Sequence, residues 1–198
     1  EKLGNDLIVE SIFKDASSVF QKEELKRIGS ILSQANKSIV TAKLIFRASD
    51  HNFQSTAFKE MCAGHGNTLM IAKSDKGNIF GAYTHANAEH QIKVFVGDPK
   101  GDSFLFSVDK GMIFPLKRNQ LDYAISAYGG WGPIYGSPYG PDLSISDKCN
   151  LKITVVHRLV TLLNTIDVKE YSNEAFSLLA GAKKFKVVEY EVYELVVK

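Results

Sequence analysis

The chain has 198 residues, of which 44% are apolar and 23% charged, with 15 Gly, 5 Pro and 2 Cys. That balance excludes a disordered or fibrous chain, and the length suits one domain that buries roughly 70% of the surface its unfolded chain exposes. The 24 basic residues against 22 acidic leave +2, spread evenly along the chain, and no basic tract suits a nucleic-acid backbone.

The N-terminus lacks a signal-peptide core and does not begin with Met, so a longer parent protein is expected. Residues 7–35 read as helical: Leu25, Ile28 and Leu32 recur at i, i+3 and i+7 opposite Lys22, Glu23, Lys26 and Arg27. Gly29 weakens that helix by about 1 kcal/mol relative to Ala and marks a possible break. Ile39 to Phe46 then reads as a strand. Ser49-Asp50-His51-Asn52 offers helix N-cap chemistry, and Phe53, Ala57, Phe58, Met61 and Cys62 share one helical face. Gly64-His65-Gly66 ends the helix in a tight turn. Strands at 68–73 and 78–84 flank the hairpin loop Asp75-Lys76-Gly77-Asn78, and another strand at 103–108 precedes a second Asp-Lys-Gly turn. Further strands are expected at 121–127, 142–146, 151–157 and 185–197. The last is apolar on both parities, as a central strand covered on both faces would be.

Strands outnumber helices, and Gly/Asp turns separate them closely, which favours antiparallel pairing over repeated βαβ units. The expected fold is mainly β within the α+β class: a two-sheet antiparallel β-sandwich flanked by a few helices.

Chemistry is sparse. Cys62 and Cys149 make no disulfide framework and no C-x-x-C pair, which fits a reducing compartment and a cytosolic location. Cys62 and His65 resemble a thiol and base, yet Cys62 shares an apolar face at a helix C-terminus, where the dipole disfavours a thiolate. Cys149, in a polar turn, is expected to be more exposed. His85 and His90 are five apart, not the four of a zinc helix, and Asp98-Pro99-Lys100-Gly101-Asp102 lacks the remaining ligands of a calcium loop. No metal or cofactor is expected, and no serine-nucleophile or phosphate-loop motif is complete. Glu189 and Glu191 share a face of the last strand, either as an acid–base pair or as structural carboxylates with donors. Tyr128, Trp131, Tyr135 and Tyr139 sit among Gly and Pro at 128–139, a loop composition that suits aromatic protein-binding contacts. Two enzymatic or ligand-binding alternatives remain: a hydrolase or stress-protective enzyme using Glu189/Glu191 or His65, and a lectin-like ligand-binding sandwich using Trp131 and neighbouring tyrosines. No run approaches the 18 apolar residues of a spanning helix, so no direct membrane insertion is expected.

The order of motifs resembles the TLDc (TLD) domain family, shared by oxidation-resistance proteins and regulators of the vacuolar ATPase. The matching pieces are Leu44-Ile45-Phe46-Arg47-Ala48-Ser49-Asp50, Thr68-Leu69-Met70-Ile71, Asn78-Ile79-Phe80-Gly81-Ala82-Tyr83-Thr84 and Ser103-Phe104-Leu105-Phe106-Ser107. They continue with Gly132-Pro133-Ile134-Tyr135-Gly136, Asp142 to Asn150, Leu178-Leu179-Ala180-Gly181 and Val188-Glu189-Tyr190-Glu191-Val192-Tyr193. Asn52 stands where the family often has Gly, Tyr193 stands near where it often has Trp, and the 85–91 region also departs from it. The resemblance implies a domain over 38–198 behind a helical extension over 1–37. It also implies structural roles for Gly81 and Glu191 and no established catalytic centre. Action would come from binding protein partners, vacuolar-ATPase subunits among them, in oxidative-stress protection or pump regulation. Asp50, His51, Asn52, Phe53, Trp131 and Tyr135 are the expected partner-binding residues.

Overall fold

The computed structural model describes residues 12–16, 18–87, 95–127, 130–137, 140–156 and 177–197. Helix α1 spans Lys22–Gln34, and its apolar stripe of Leu25, Ile28, Ile31 and Leu32 is buried. Gly29 is buried within it and does not break it. The Glu24 carboxylate accepts the Gln21 N–H at 2.7 Å, and acidic side chains at this end suit the helix dipole. At the other end Asn36 takes a left-handed φ of 55°, and the N–H groups of Asn36 and Lys37 donate to the carbonyls of Ser33 and Leu32. This double closure satisfies two terminal carbonyls and stops the helix. Ile12 is helical but the described residues from Phe13 to Gln21 are not, so the expected helix over 7–35 is interrupted before α1; residues 7–11 and 17 lie outside the described residues.

The large sheet contains β1 (Ile39–Arg47), β2 (Thr68–Ser74), β3 (Ile79–Thr84), β4 (Phe104–Ser107), β5 (Met112–Pro115) and β10 (Val187–Val197), in the order β1-β10-β2-β3-β4-β5. The small sheet contains β6 (Trp131–Tyr135), β7 (Leu143–Ser146), β8 (Thr154–Val156) and β9 (Lys184–Phe185), in that order. Every pairing is antiparallel. The fold is therefore the expected mainly β, two-sheet architecture with flanking helices.

The large sheet is buried on both faces. Met70, Ala72, Phe80, Ala82, Leu105 and Phe114 face the small sheet's Tyr135, Leu143, Ile145, Val156 and Phe185 in one core, joined by Phe58 and Cys62 of α2 (Ser55–Cys62). Leu69, Ile71, Tyr83, Phe104 and Phe106 form a second core with α1 and with Phe13 and Phe20. Each large apolar side chain so buried contributes roughly 1.5–3 kcal/mol. Two covered faces explain why β2 and β3 read as unbroken apolar runs rather than alternating ones. Strand β10 lies between β1 and β2 and supplies both cores: Tyr190 and Val192 to the first, Tyr193 and Leu195 to the second. A register shift between Val187 and Glu189 turns Val187 into the first core as well.

Gly81 is required by close approach. A Cβ there would stand 2.1 Å from the Met70 carbonyl oxygen and 2.4 Å from the Phe106 ring.

Four expectations are corrected. The 121–127 segment is a 3-10 turn at Arg118–Tyr123 followed by isolated bridges from Ile125 to Val96 and from Ser126 to Ile134. The aromatic-glycine segment is not a loop throughout, because its middle forms β6; Tyr128 and Tyr139 lie outside the described residues. Met61 is exposed because the eight-residue α2 buries only Ser55, Phe58 and Cys62. Cys149 is fully buried, its turn folded under β10, whose Val187 N–H donates to the Cys149 carbonyl at 3.0 Å. His90 lies outside the described residues.

Candidate functional site

Three chain segments meet at one rim of the sandwich. The first is the link between β1 and α2. Its 3-10 turn at Ser49–His51 is followed by Asn52 and Phe53, both left-handed at φ 50° and 57°. Asn tolerates that region, whereas an aromatic residue there is an outlier. Phe53 is held there because its N–H donates to the Ala48 carbonyl at 2.8 Å and its ring is buried. The second segment is the β7–β8 turn, where Lys148 is also left-handed at φ 52°. Its N–H donates to the Phe53 carbonyl at 2.8 Å, and the neighbouring Asp147 carboxylate accepts the Ser55 N–H at 2.9 Å, capping α2 from outside. That bond is the main reason the Asp147 carboxyl lies below its ordinary range. The third segment is the start of β10, where Glu189 accepts the N–H groups of Ser49 and Tyr190.

Three of the five non-glycine residues with positive φ among the described residues thus sit in direct succession or contact. Strain of about 1–3 kcal/mol per residue persists only where surrounding contacts over-determine it, and it concentrates at functional sites.

The rim exposes large apolar side chains. Trp131 is 39% exposed at the start of β6, opposite Ser146. Leu151 and Ile153 are 68% and 54% exposed in and just beyond the β7–β8 turn, and the Ser146 hydroxyl donates to the Ile153 carbonyl. Val188 is 47% exposed beside the Val187 N–H that reaches Cys149. Asp50, Asn52 and Lys148 are exposed at the same turns. His51 stacks on Phe46 at 5.4 Å, and Asp50 lies 3.6 Å from Arg47.

Of the expected partner-binding residues, Trp131 pairs with Ser146 next to the β7–β8 turn that Phe53 contacts, and Asp50, His51 and Asn52 share one turn. Phe53 belongs to the same turn with its ring turned inward, so only its backbone shapes the surface. Tyr135 lies at the far end of β6, buried in the inter-sheet core. Leu151, Ile153 and Val188 are missed by the sequence reading. Leu151 and Ile153 look like strand residues unless Asp147 to Asn150 is taken as a turn that consumes the next three positions.

The chemically suggestive carboxylates Glu189 and Glu191 and both thiols are buried. Glu191 is fully buried and accepts Arg47 Nε at 2.7 Å and the Tyr193 hydroxyl at 2.7 Å. Arg47 in turn donates to the Asp15 carbonyl, tying the N-terminal segment to the sheet. Glu189 is sealed from solvent, and burial raises its carboxyl despite the bonds from Ser49 and Tyr190. Burial pushes the Cys149 thiol up to about 12 and the Cys62 thiol higher still. His65 faces Glu194, Nδ1 to Oε1 at 2.8 Å, while Cys62 faces the core. No cluster of three His, Cys, Asp or Glu suited to a metal ion occurs among the described residues. Among them also, no helix is long and apolar enough to cross a membrane.

Fold and rim together define a layered β-sandwich with exposed apolar groups on and beside its strained turns. The chain belongs to the TLDc domain family, whose model matches residues 13–196. The match takes in α1 as well as both sheets. No curated protein matches the chain.

Proposed function

We propose that the chain acts by binding another protein through this rim, with no bond-making group of its own. Its part in oxidative-stress protection or vacuolar-ATPase regulation, the roles associated with its family, would run through that contact. The observation that carries the reading is the grouping of exposed Trp131, Leu151, Ile153 and Val188 around one strained, hydrogen-bonded turn. Trp is favoured at the energetic centre of protein interfaces. A backbone already fixed in its bound shape loses little freedom on association. Support for a non-catalytic role comes from the thiols, held in their unreactive protonated form by burial, and from the two glutamates, committed to internal donors. Protection from oxidants would then be indirect.

The test is a binding titration of the purified domain against purified vacuolar ATPase, repeated with Trp131→Ala and Leu151→Asp. Loss of about 2 kcal/mol, roughly a thirtyfold rise in Kd, is expected for each variant with the melting temperature unchanged. Failure of the unaltered domain to bind removes this partner. Unchanged binding by both variants removes the rim.

A further inference from the structure

At the opposite end of the large sheet, the turn at 99–101 and the segment from Pro115 to Leu121 enclose a cleft of about 420 Å³. Its lining includes Lys100, Lys117 and Arg118 but no carboxylate. The neighbouring acids are otherwise engaged or outside it. Asp98 is fully buried and accepts the Ser103 N–H and hydroxyl, both at 2.7 Å. Asp102 pairs with Lys37 at 3.3 Å, and the backbone of Asp122 packs against Gly97. Lys100 and Arg118 have no carboxylate partner among the described residues.

The two cation-bearing segments are bound to each other by backbone. The Asp98 N–H donates to the Leu121 carbonyl at 2.7 Å and the Leu116 N–H to the Ser103 carbonyl at 2.9 Å. Gly101, at φ 71°, lies so close to Leu121 that a Cβ would stand 3.2 Å from its side chain. The scaffold beneath the cations is therefore fixed. Lys100 and Arg118 lining one concavity repel in the free protein, and a multivalent anion relieves that repulsion. Pro99, Pro115, Leu116 and Leu121 supply apolar walls that weaken solvent screening of such a contact.

We propose that this cleft binds a small ligand carrying several phosphate groups, such as an inositol polyphosphate, either free or as a lipid headgroup. Its volume falls within the range of small-molecule sites. An extended phosphopeptide is disfavoured, because the adjacent edge strand β5 ends at Pro115, which has no N–H for an added strand.

The experiment is a calorimetric titration of the domain with inositol hexakisphosphate at low and physiological salt, alongside inorganic phosphate and a phosphoserine peptide. Flotation with vesicles containing or lacking a phosphorylated phosphatidylinositol forms the second arm. The domain should bind the polyphosphate, and Lys100→Ala combined with Arg118→Ala should weaken binding at least about tenfold. Lys43→Ala, at an exposed site on β1, should change it less than about twofold. Capture by the phosphorylated vesicles as well would identify a headgroup as the source, whereas binding in solution alone would identify a free ligand. The inference is overturned by no binding, by equal weakening from Lys43→Ala, or by binding of the phosphopeptide alone.

Discussion

Replacing Glu191 with Gln isolates one of the fully buried carboxyl groups among the residues described. The carboxylate takes a charge-assisted bond from Arg47 Nε and a second bond from the Tyr193 hydroxyl, each at 2.7 Å. Gln retains one acceptor but removes the charge, leaving the guanidinium facing a neutral group. Removing one partner of a buried pair costs about 3–5 kcal/mol. Arg47 keeps 22% of its side chain exposed and has Asp50 at 3.6 Å, so the expected loss lies at the lower end, about 3 kcal/mol. In a domain of this size that lowers the melting temperature by roughly 6–12 °C. Arg47 also anchors the Asp15 carbonyl, so the N-terminal segment should become more sensitive to limited proteolysis. Combining Arg47→Met with Glu191→Leu should recover more than half of the loss, because no unpaired charge is then buried. Thermal unfolding of the three proteins checks this. A drop below about 2 °C for Glu191→Gln, or a double variant no more stable than Glu191→Gln, would refute the assignment.

Gly81→Ala should destabilise by about 3 kcal/mol or more, since its Cβ would overlap the Met70 carbonyl and the Phe106 ring; urea unfolding measures it. Asn52→Gly should be neutral or slightly stabilising, whereas Asn52→Val should cost about 1–2 kcal/mol at φ 50°, and a reversed order would discard the strain argument. Neither Cys62 nor Cys149 should react with iodoacetamide at pH 8 over minutes in the native protein, while both should react in urea; mass spectrometry counts the adducts. Burial raises the Glu189 carboxyl, so its contribution is full below the ordinary value near 4.3 and is lost as pH rises through the folded value. Glu189→Gln should therefore gain stability relative to the unaltered protein as pH rises above the ordinary carboxylate range, and a pH-independent difference in urea midpoint would contradict this.

Periodicity and turn chemistry made most of the large sheet legible. Asp75 to Asn78 fixes the β2–β3 hairpin locally, and apolar residues on both parities of β10 mark a strand with both faces covered. What escaped depends on distant partners. The segment 121–127 is apolar enough for a strand, but Asp98 and Val96 take its backbone in a 3-10 turn and isolated bridges. The Trp131 segment is rich in Gly and Pro, yet pairing with β7 makes it a strand. At the rim, local sequence marks Asn52 as a residue that tolerates left-handed backbone. Nothing local marks Phe53 or Lys148, because their conformations are set by each other across 95 positions.

That mutual dependence also explains where binding can reside. The central strands of the large sheet have one face under the small sheet and the other under α1, so those surfaces are committed to cores. The described turns at its ends are left to meet a partner. Turns are ordinarily the least ordered part of a sandwich, and ordering them on binding weakens affinity. Here the Lys148–Phe53 bond, the Asp147 cap on α2 and the Glu189 bond to Ser49 join two turns and the start of β10 to one another before any partner arrives. The strain stored at Asn52, Phe53 and Lys148 is offset by these bonds and by the burial of Phe53. The exposed Trp131, Leu151 and Ile153 therefore rest on a fixed base, and their apolar area is available for association without a large ordering cost.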